Sequence, residues 1–136
     1  MYIEAVEEFT KALKLKPKAL EPRLGLMLPQ MALRRWLDAK GTASRILAKD
    51  SHNDLARSRL AWCLYNLGRY RAAEKQYRRV LVRYPSKLDM QAGLGWCLLK
   101  QKRVAPAARI FRSVLSVHPG YPTARLGLKL ASGASR

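Results

Sequence analysis

Few side chains in this sequence could bind a metal ion or carry out acid–base or nucleophilic chemistry. The 136 residues include two cysteines, two histidines and nine acidic residues. Zinc sites need such ligands at short, regular separations, and Cys63, Cys97, His52 and His118 are scattered. No nucleophile, base and orienting acid can be assembled, and no glycine-rich phosphate loop is present. The sequence therefore predicts a protein that is not an enzyme, with no catalytic residue, metal site, cofactor or small-molecule substrate.

The dipeptide Trp62-Cys63 lies in a predicted helical hairpin at residues 60–85, and the same dipeptide recurs as Trp96-Cys97. The apolar residues of the second half of this stretch are spaced three or four apart, as on one helical face. Pro85 ends that helix, because proline has no N–H to continue the hydrogen-bond ladder. A single helix pair cannot bury its apolar face alone, so the pattern is expected to recur.

The pattern recurs with a period of 34 residues along the whole chain. The repeated set in the second helices is Ala5, Phe9 and Pro17, then Ala73, Tyr77 and Pro85, then Ala107, Phe111 and Pro119. A period in this range indicates stacked helical hairpins. The predicted helices cover about 2–16, 21–32, 35–49, 54–67, 69–83, 88–100, 104–117 and 121–131, and residues 132–136 are expected to fray.

The repeat at 20–53 departs most from the pattern. Pro29 lies inside its first helix and is expected to kink or shorten it. Arg34 stands where a turn glycine is expected, and Gly41 lies inside the second helix. Ala43 replaces the aromatic residue of the other repeats, so the packing around it cannot follow the same scheme.

These residues resemble the tetratricopeptide repeat family, whose 34-residue pattern ends in A-x3-F and a later proline. The resemblance covers residues 1–131 and implies an all-α fold, a right-handed α-solenoid of helix-turn-helix repeats. It divides the single array into a second helix of a partial repeat at 1–19, repeats at 20–53, 54–87 and 88–121, and a capping helix with a frayed tail at 122–136. Because the register begins at a second helix, we expect the chain to be a fragment of a larger protein; the alternative is a natural chain whose first helix serves as a cap.

In this family the first helices line a concave face, which implies a groove for a partner. The residues at the concave positions are Leu24, Leu28, Met31, Leu55, Ser58, Trp62, Tyr65, Ala92, Trp96 and Leu99, with Leu126 and Leu130 added by the capping helix. Large aromatics on a rigid face are typical anchors for peptides. The resemblance therefore predicts a non-enzymatic scaffold that binds a peptide or helix of a partner protein. The alternative is that Trp62 and Trp96 fold back between helices as core.

A family subtype grips the C-terminal carboxylate of chaperones with Lys, Asn and Arg on its first helices. The matching positions here are Leu24, Leu28, Arg59, Asp89 and Gly93. Only Arg59 fits, so this carboxylate-binding function is not expected.

Charge supports a second function. Lysine and arginine number 27 against nine acidic residues, which gives a net charge of +18. The residues expected on the convex side are Arg71, Lys75, Arg78, Arg79, Arg109 and Arg112. Such a surface attracts nucleic acid, anionic membrane or an acidic partner, with salt-sensitive affinity and no sequence readout. The alternative is a solvated surface offset by an acidic segment elsewhere in the parent protein.

Two further expectations concern association and location. Self-association through the exposed faces of the terminal repeats is a third possible function.

Cys63 and Cys97 occupy equivalent positions in adjacent repeats, beyond the roughly 7 Å Cα separation that a disulfide tolerates, and both lie on apolar faces. They are therefore predicted to be buried free thiols, and His52 and His118 to be exposed in turns. Unpaired cysteines and the lack of a secretory signal at residue 1 favour the cytoplasm.

Overall fold

A computed structural model describes residues 1–17 and 20–134 of the chain, with the side chains of 20–22 and 134 left out. This part contains eight helices and no strand, which confirms the all-α helical-repeat fold. The helices are α1 (Tyr2–Leu15), α2 (Leu20–Ala32), α3 (Trp36–Lys49), α4 (Asp54–Asn66), α5 (Tyr70–Arg83), α6 (Leu88–Lys100), α7 (Val104–Val117) and α8 (Pro122–Ala134).

Every predicted helix is present, and its ends agree with the prediction to within three residues. The predicted frayed tail is wrong in part, because α8 extends to Ala134; residues 135–136 lie outside the described residues. Pro29 does not shorten α2, which has 13 residues, as α4 and α6 have; the alternative, a kink at Pro29, stays a prediction. None of the described helices combines the length and the apolar character that a bilayer crossing requires.

The chain forms two compact units, unit 1 at residues 1–68 and unit 2 at residues 69–136. In each unit, consecutive helices pack against one another: α1 to α4 in the first and α5 to α8 in the second. The first helices of the hairpins also touch, α2 with α4 and α6 with α8. Within the described part of each unit, the second helices α1 and α3, or α5 and α7, make no such contact. The first helices thus form an inner layer, and the second helices pack over it.

The turns between the helices of each hairpin share one backbone conformation. Arg34, Gly68 and Lys102 lie 34 residues apart and have φ of 57°, 77° and 62°. Only glycine adopts this left-handed conformation without steric cost. Arg34, which stands at a position where glycine was expected, therefore adopts the left-handed conformation that favours glycine, at some cost in stability. In the turn between α3 and α4, Asn53 caps α4 by accepting a hydrogen bond from the Ala56 N–H at 2.9 Å.

Substitutions in these turns should change stability in opposite directions. We expect Gly68→Ala to lower the free energy of unfolding by about 1 kcal/mol and Lys102→Gly to raise it by up to about 1 kcal/mol. Urea unfolding followed by circular dichroism measures both. Gly133→Ala is the control, because Gly133 is helical and an added Cβ meets no atom within 4 Å. A stabilising Gly68→Ala would contradict the turn geometry.

Three aromatic rings pack against four glycines of the first helices. An added Cβ on Gly25 would lie 2.6 Å from the ring of Phe9, and one on Gly93 would lie 2.6 Å from the ring of Tyr77. Phe111 is fully buried and contacts the glycine positions of both neighbouring first helices, Gly95 in α6 and Gly127 in α8. Each ring therefore packs directly on helix backbone, and glycine is the residue that leaves room for it.

The junction between the repeats at 20–53 and 54–87 reverses this arrangement. Ala43, fully buried, stands where the other repeats have the aromatic ring, and Arg59 stands where they have the glycine. The Arg59 guanidinium donates a hydrogen bond to the carbonyl oxygen of Leu24 at 3.1 Å. Burial lowers the pKa of Arg59 from its usual value. The small and the large residue of the pair have thus exchanged positions in the sequence.

A buried carboxylate joins α5 to the turn between α6 and α7. Glu74 is 9% exposed, and its Oε1 accepts hydrogen bonds from Arg103 at 2.9 Å and from Gln101 at 3.0 Å. Its Oε2 accepts one from Arg78 at 2.9 Å. Burial alone would raise the pKa of Glu74, but the hydrogen bonds from Gln101 and Arg78 and the two arginine charges outweigh it and lower the pKa.

Candidate functional site

Three aromatic side chains of unit 1 form a cluster, Trp36, Trp62 and Tyr65. The rings of Trp62 and Tyr65 are stacked with 5.6 Å between centroids and 4° between planes. Trp36, the first residue of α3, meets Trp62 edge-on at 6.4 Å and 85°. Both geometries are favourable for aromatic pairs and hold the central indole in one orientation. Trp62 nevertheless remains 44% exposed.

Exposed apolar side chains accompany this cluster on the first helices of unit 1. Leu28 is 54% exposed on α2, and Leu55 is 49% exposed on α4. Leu28 and Trp62 are 34 residues apart, so they occupy equivalent positions on two helices in contact. The predicted groove residues Leu24, Met31, Ser58 and Tyr65 are partly exposed. We call this set of seven residues, Leu24, Leu28, Met31, Leu55, Ser58, Trp62 and Tyr65, the first-helix face of unit 1.

The equivalent tryptophan of unit 2 has a different environment. The Trp96 Nε1 donates a hydrogen bond to the carbonyl oxygen of Thr123 at 3.2 Å, and its ring meets Phe111 at 5.8 Å and 66°. Ala92 is buried, and Leu99 is partly exposed. Trp96 is therefore held within the packing of unit 2, whereas Trp62 offers an open ring. The use of both tryptophans as anchors in one groove stays a prediction.

Sequence reasoning did not single out Trp36 as part of the site. Trp36 is equivalent to Tyr70 in the repeat register, at the start of the second helix of its hairpin. Its role depends on the α2–α3 turn, which brings the start of α3 to the side of Trp62. The available signal was Trp36 itself, the first of the three tryptophans in the chain, because it lies close to a hairpin turn.

The predicted basic residues all lie in unit 2 and are all exposed. Arg78 is engaged, because its Nε is 2.9 Å from Oε2 of Glu74. The remaining residues have no hydrogen bond, ion pair or ring contact in the described part of the chain. We call these five residues, Arg71, Lys75, Arg79, Arg109 and Arg112, the basic face.

Both cysteines are free, fully buried thiols, as predicted, and both histidines are exposed. Burial raises the pKa of Cys63 to about 11. Burial, with a smaller contribution from the charge of Glu74, raises the pKa of Cys97 to about 12. Neither thiol is therefore a candidate nucleophile, since only the thiolate reacts.

The burial of these thiols makes a simple prediction about reactivity. At pH 8 we expect a thiol reagent such as Ellman's reagent to modify native Cys63 and Cys97 at least about 100-fold more slowly than the unfolded chain. Single Cys→Ser variants separate the two signals, Cys63 reporting unit 1 and Cys97 reporting unit 2. Fast modification of the native protein would mean that the cysteine-bearing helices open frequently.

Repeated helical hairpins, whose consecutive helices pack against one another within each unit, define the class of helical-repeat proteins. A sequence profile of the tetratricopeptide repeat matches residues 59–125, and the chain is a tetratricopeptide repeat protein. No curated protein sequence matches it significantly.

Solved structures share this fold at low sequence identity. The crystal structure of MamA is similar with a TM-score of 0.89 and 20% identity, over 98% of this chain and 78% of that one. YrrB, a TPR protein with an unusual peptide-binding site, has a TM-score of 0.83 and 19% identity, over 98% and 69% of the two chains. The second TPR domain of human RPAP3, in complex with the HSP70 peptide SGPTIEEVD, has a TM-score of 0.71 and 21% identity, over 78% and 88%.

Proposed function

We propose that this protein is a non-enzymatic interaction scaffold that binds an apolar segment of a partner protein on the first-helix face of unit 1. The observation that carries the proposal is the state of Trp62, which is 44% exposed yet fixed between Trp36 and Tyr65. A large ring that is already ordered loses little conformational entropy when it binds. Exposed tryptophans of this kind dominate the binding energy of many interfaces.

The neighbouring apolar residues determine what the face would accept. Leu28 and Leu55 are about half exposed on helices that contact one another, so they extend the apolar surface beside Trp62. An extended peptide or one side of an amphipathic helix would place apolar side chains against such a surface. Ser58 adds a small polar position, and its hydroxyl donates to the Leu55 carbonyl oxygen at 2.8 Å.

Two structural neighbours bind peptides, which supports this kind of ligand for the fold. The peptide on RPAP3 ends in an acidic Glu-Glu-Val-Asp sequence. In this chain Arg59, the one basic residue predicted at a matching position, already donates to the Leu24 carbonyl oxygen. The proposed ligand is therefore recognised through apolar side chains, and its C-terminal carboxylate has no dedicated partner on this face.

A peptide library displayed on phage provides the test. Clones selected on the wild type and depleted on Trp62→Ala are synthesised and measured by isothermal titration calorimetry. We expect Trp62→Ala to weaken binding at least about 30-fold, which corresponds to about 2 kcal/mol for an interface anchor. Leu37→Ala is the matched control, because Leu37 is 62% exposed on α3 of the same unit but outside this face; it should change affinity less than about threefold.

Two results would contradict the proposal. The first is a set of selected peptides that bind Trp62→Ala as tightly as the wild type. The second is a library that yields no binder at all on the wild type. Circular dichroism of Trp62→Ala separates loss of the anchor from loss of the fold, because Trp62 makes a surface cluster and its removal should leave the helices intact.

A further inference from the structure

We infer that the basic face of unit 2 binds the phosphate backbone of double-stranded nucleic acid without reading its sequence. This inference concerns a different unit and a different surface from the proposed peptide site, so either can fail without the other.

Positive charge is concentrated in unit 2. Residues 69–136 contain fifteen lysines and arginines and only two acidic residues, Glu74 and Asp89. Glu74 is buried and bonded to Arg78 and Arg103. Asp89 lies in the first turn of α6, where its Oδ1 accepts from the Met90 N–H at 3.0 Å. Neither of these two acidic side chains forms an ion pair with a residue of the basic face.

The placement of the cations produces a continuous surface on each second helix. Arg71, Lys75 and Arg79 follow one another at intervals of four residues on α5, so they lie on one side of the helix about 6 Å apart along its axis. On α7, Arg109 is equivalent to Lys75, and Arg112 is equivalent to Arg78.

The two helices present these cations to the same side. α5 packs on α6, and α7 packs in the equivalent way on α8 and also contacts α6. The buried pairs are Ala73 with Ala107, Tyr77 with Phe111, and Val80 with Val114. Because the buried faces match, the opposite, charged faces point the same way from the unit.

The residues between the cations favour phosphate over a protein partner. The other exposed side chains of α5 and α7 are small or are the two valines Val82 and Val117, apart from Arg78 and Arg83. Protein interfaces depend largely on aromatic anchors, and no aromatic side chain of the described α5 and α7 is classed as exposed; Tyr84, which follows α5, is 46% exposed. Stacking of single-stranded bases also needs exposed aromatic rings.

Phosphate groups suit the cations that are present. Four of the five residues are arginines, whose planar guanidinium forms paired hydrogen bonds to phosphate oxygens. Stable membrane attachment usually adds a substantial apolar insertion, and two valines supply little. A nucleic-acid duplex displays closely spaced phosphates and needs no apolar contact, so it fits this surface best.

Fluorescence anisotropy with a labelled duplex of about 20 base pairs, at several KCl concentrations, tests the inference. Five phosphate contacts predict a slope of log K against log salt of about −4.5. We expect replacement of the five residues of the basic face by glutamine to weaken binding at least about 100-fold at low salt and to flatten the slope by about 4.

The matched control replaces five other exposed cations of unit 2 by glutamine. These residues are Lys87, Lys100, Lys102, Arg125 and Lys129, which lie on first helices and turns. Both variants lose the same net charge, so a difference between them locates the contact. The control should weaken binding less than about tenfold, because only the general attraction falls.

Several outcomes would overturn the inference. Equal losses in the two variants would show attraction by net charge without a defined surface. Equal binding of poly-glutamate, or preferential binding of phosphatidylserine vesicles with the same dependence on the basic face, would assign the surface to acidic protein or to membrane. A preference above about tenfold between duplexes of unrelated sequence would exclude readout of the backbone alone.

Discussion

Replacing Phe111 by alanine is expected to lower the free energy of unfolding of unit 2 by about 3–5 kcal/mol. Phe111 is the largest fully buried side chain of the described residues and lies between α6 and α8. Its removal would leave a cavity bounded by Gly95 and Gly127, neither of which has a side chain to fill it. Urea unfolding followed by circular dichroism and by labelling of Cys97 measures the loss in unit 2.

The contact between Phe111 and Gly127 makes the effects of two substitutions depend on one another. Gly127→Ala alone should cost about 1–3 kcal/mol, because the added Cβ overlaps the ring. In a Phe111→Ala background the Cβ has space, and alanine is the better helix former by about 0.5–1 kcal/mol. We therefore expect Gly127→Ala to be neutral or stabilising in that background.

The double-mutant cycle supplies the decisive number, a coupling free energy of about 2–3 kcal/mol. Gly133→Ala, in the same helix but with no atom within 4 Å of the added Cβ, is the control and should not couple to position 111. Additive effects of Phe111→Ala and Gly127→Ala would mean that the ring does not pack on the backbone of α8.

Removing the charge of Glu74 should have the next largest effect. We expect Glu74→Gln to lower the stability of unit 2 by about 2 kcal/mol at pH 7, since it leaves Arg78 and Arg103 without their carboxylate. The two arginines are 51% and 48% exposed, so solvent screening keeps the loss below that of a fully buried pair. Glu7→Gln, an exposed change of the same charge in α1, is the control and should stay within about 0.5 kcal/mol.

The stability difference between wild type and Glu74→Gln should depend on pH. The pKa of Glu74 is lower in the folded protein than in the unfolded chain, where it is about 4.3. The carboxylate therefore stabilises the fold above that unfolded-state pKa, and this contribution is lost as pH falls through the lower folded-state value. Urea titrations at pH 7 and at several values below 4 measure the difference, and a difference that grows on acidification would contradict the direction of the pKa shift.

Periodicity was sufficient to predict the helices, because each apolar residue recurs 34 positions later in the same local environment. The positions of the free thiols followed from the same register. Only part of the cluster around Trp62 was predicted. The contact between the rings of Trp36 and Trp62 depends on the path of the α2–α3 turn, which the spacing of residues in the sequence does not determine. The separate environment of Trp96 depends on a carbonyl oxygen 27 residues away.

Glu74 shows most clearly why a buried polar group escapes sequence reasoning. Its partners Gln101 and Arg103 are 27 and 29 residues away, and the equivalent positions in the neighbouring repeats are Lys40 and Ala108. Nothing in the repeat pattern marks this position for an acid. In contrast, the pairing of an aromatic residue with a glycine 16 positions later recurs at equivalent repeat positions, so it could have been predicted from the sequence.

The exchange of Ala43 and Arg59 for an aromatic residue and a glycine has a consequence for recombination between repeats. The matched pair spans a second helix and the first helix that follows it, so its two members belong to different 34-residue repeats. Transplanting the repeat at 54–87 in front of itself would set Tyr77 against an arginine, and duplicating 20–53 would set Ala43 against a glycine. The piece of this protein that can be copied or shuffled without a packing defect is the second helix together with its following first helix, offset by half a repeat from the hairpin that defines the family.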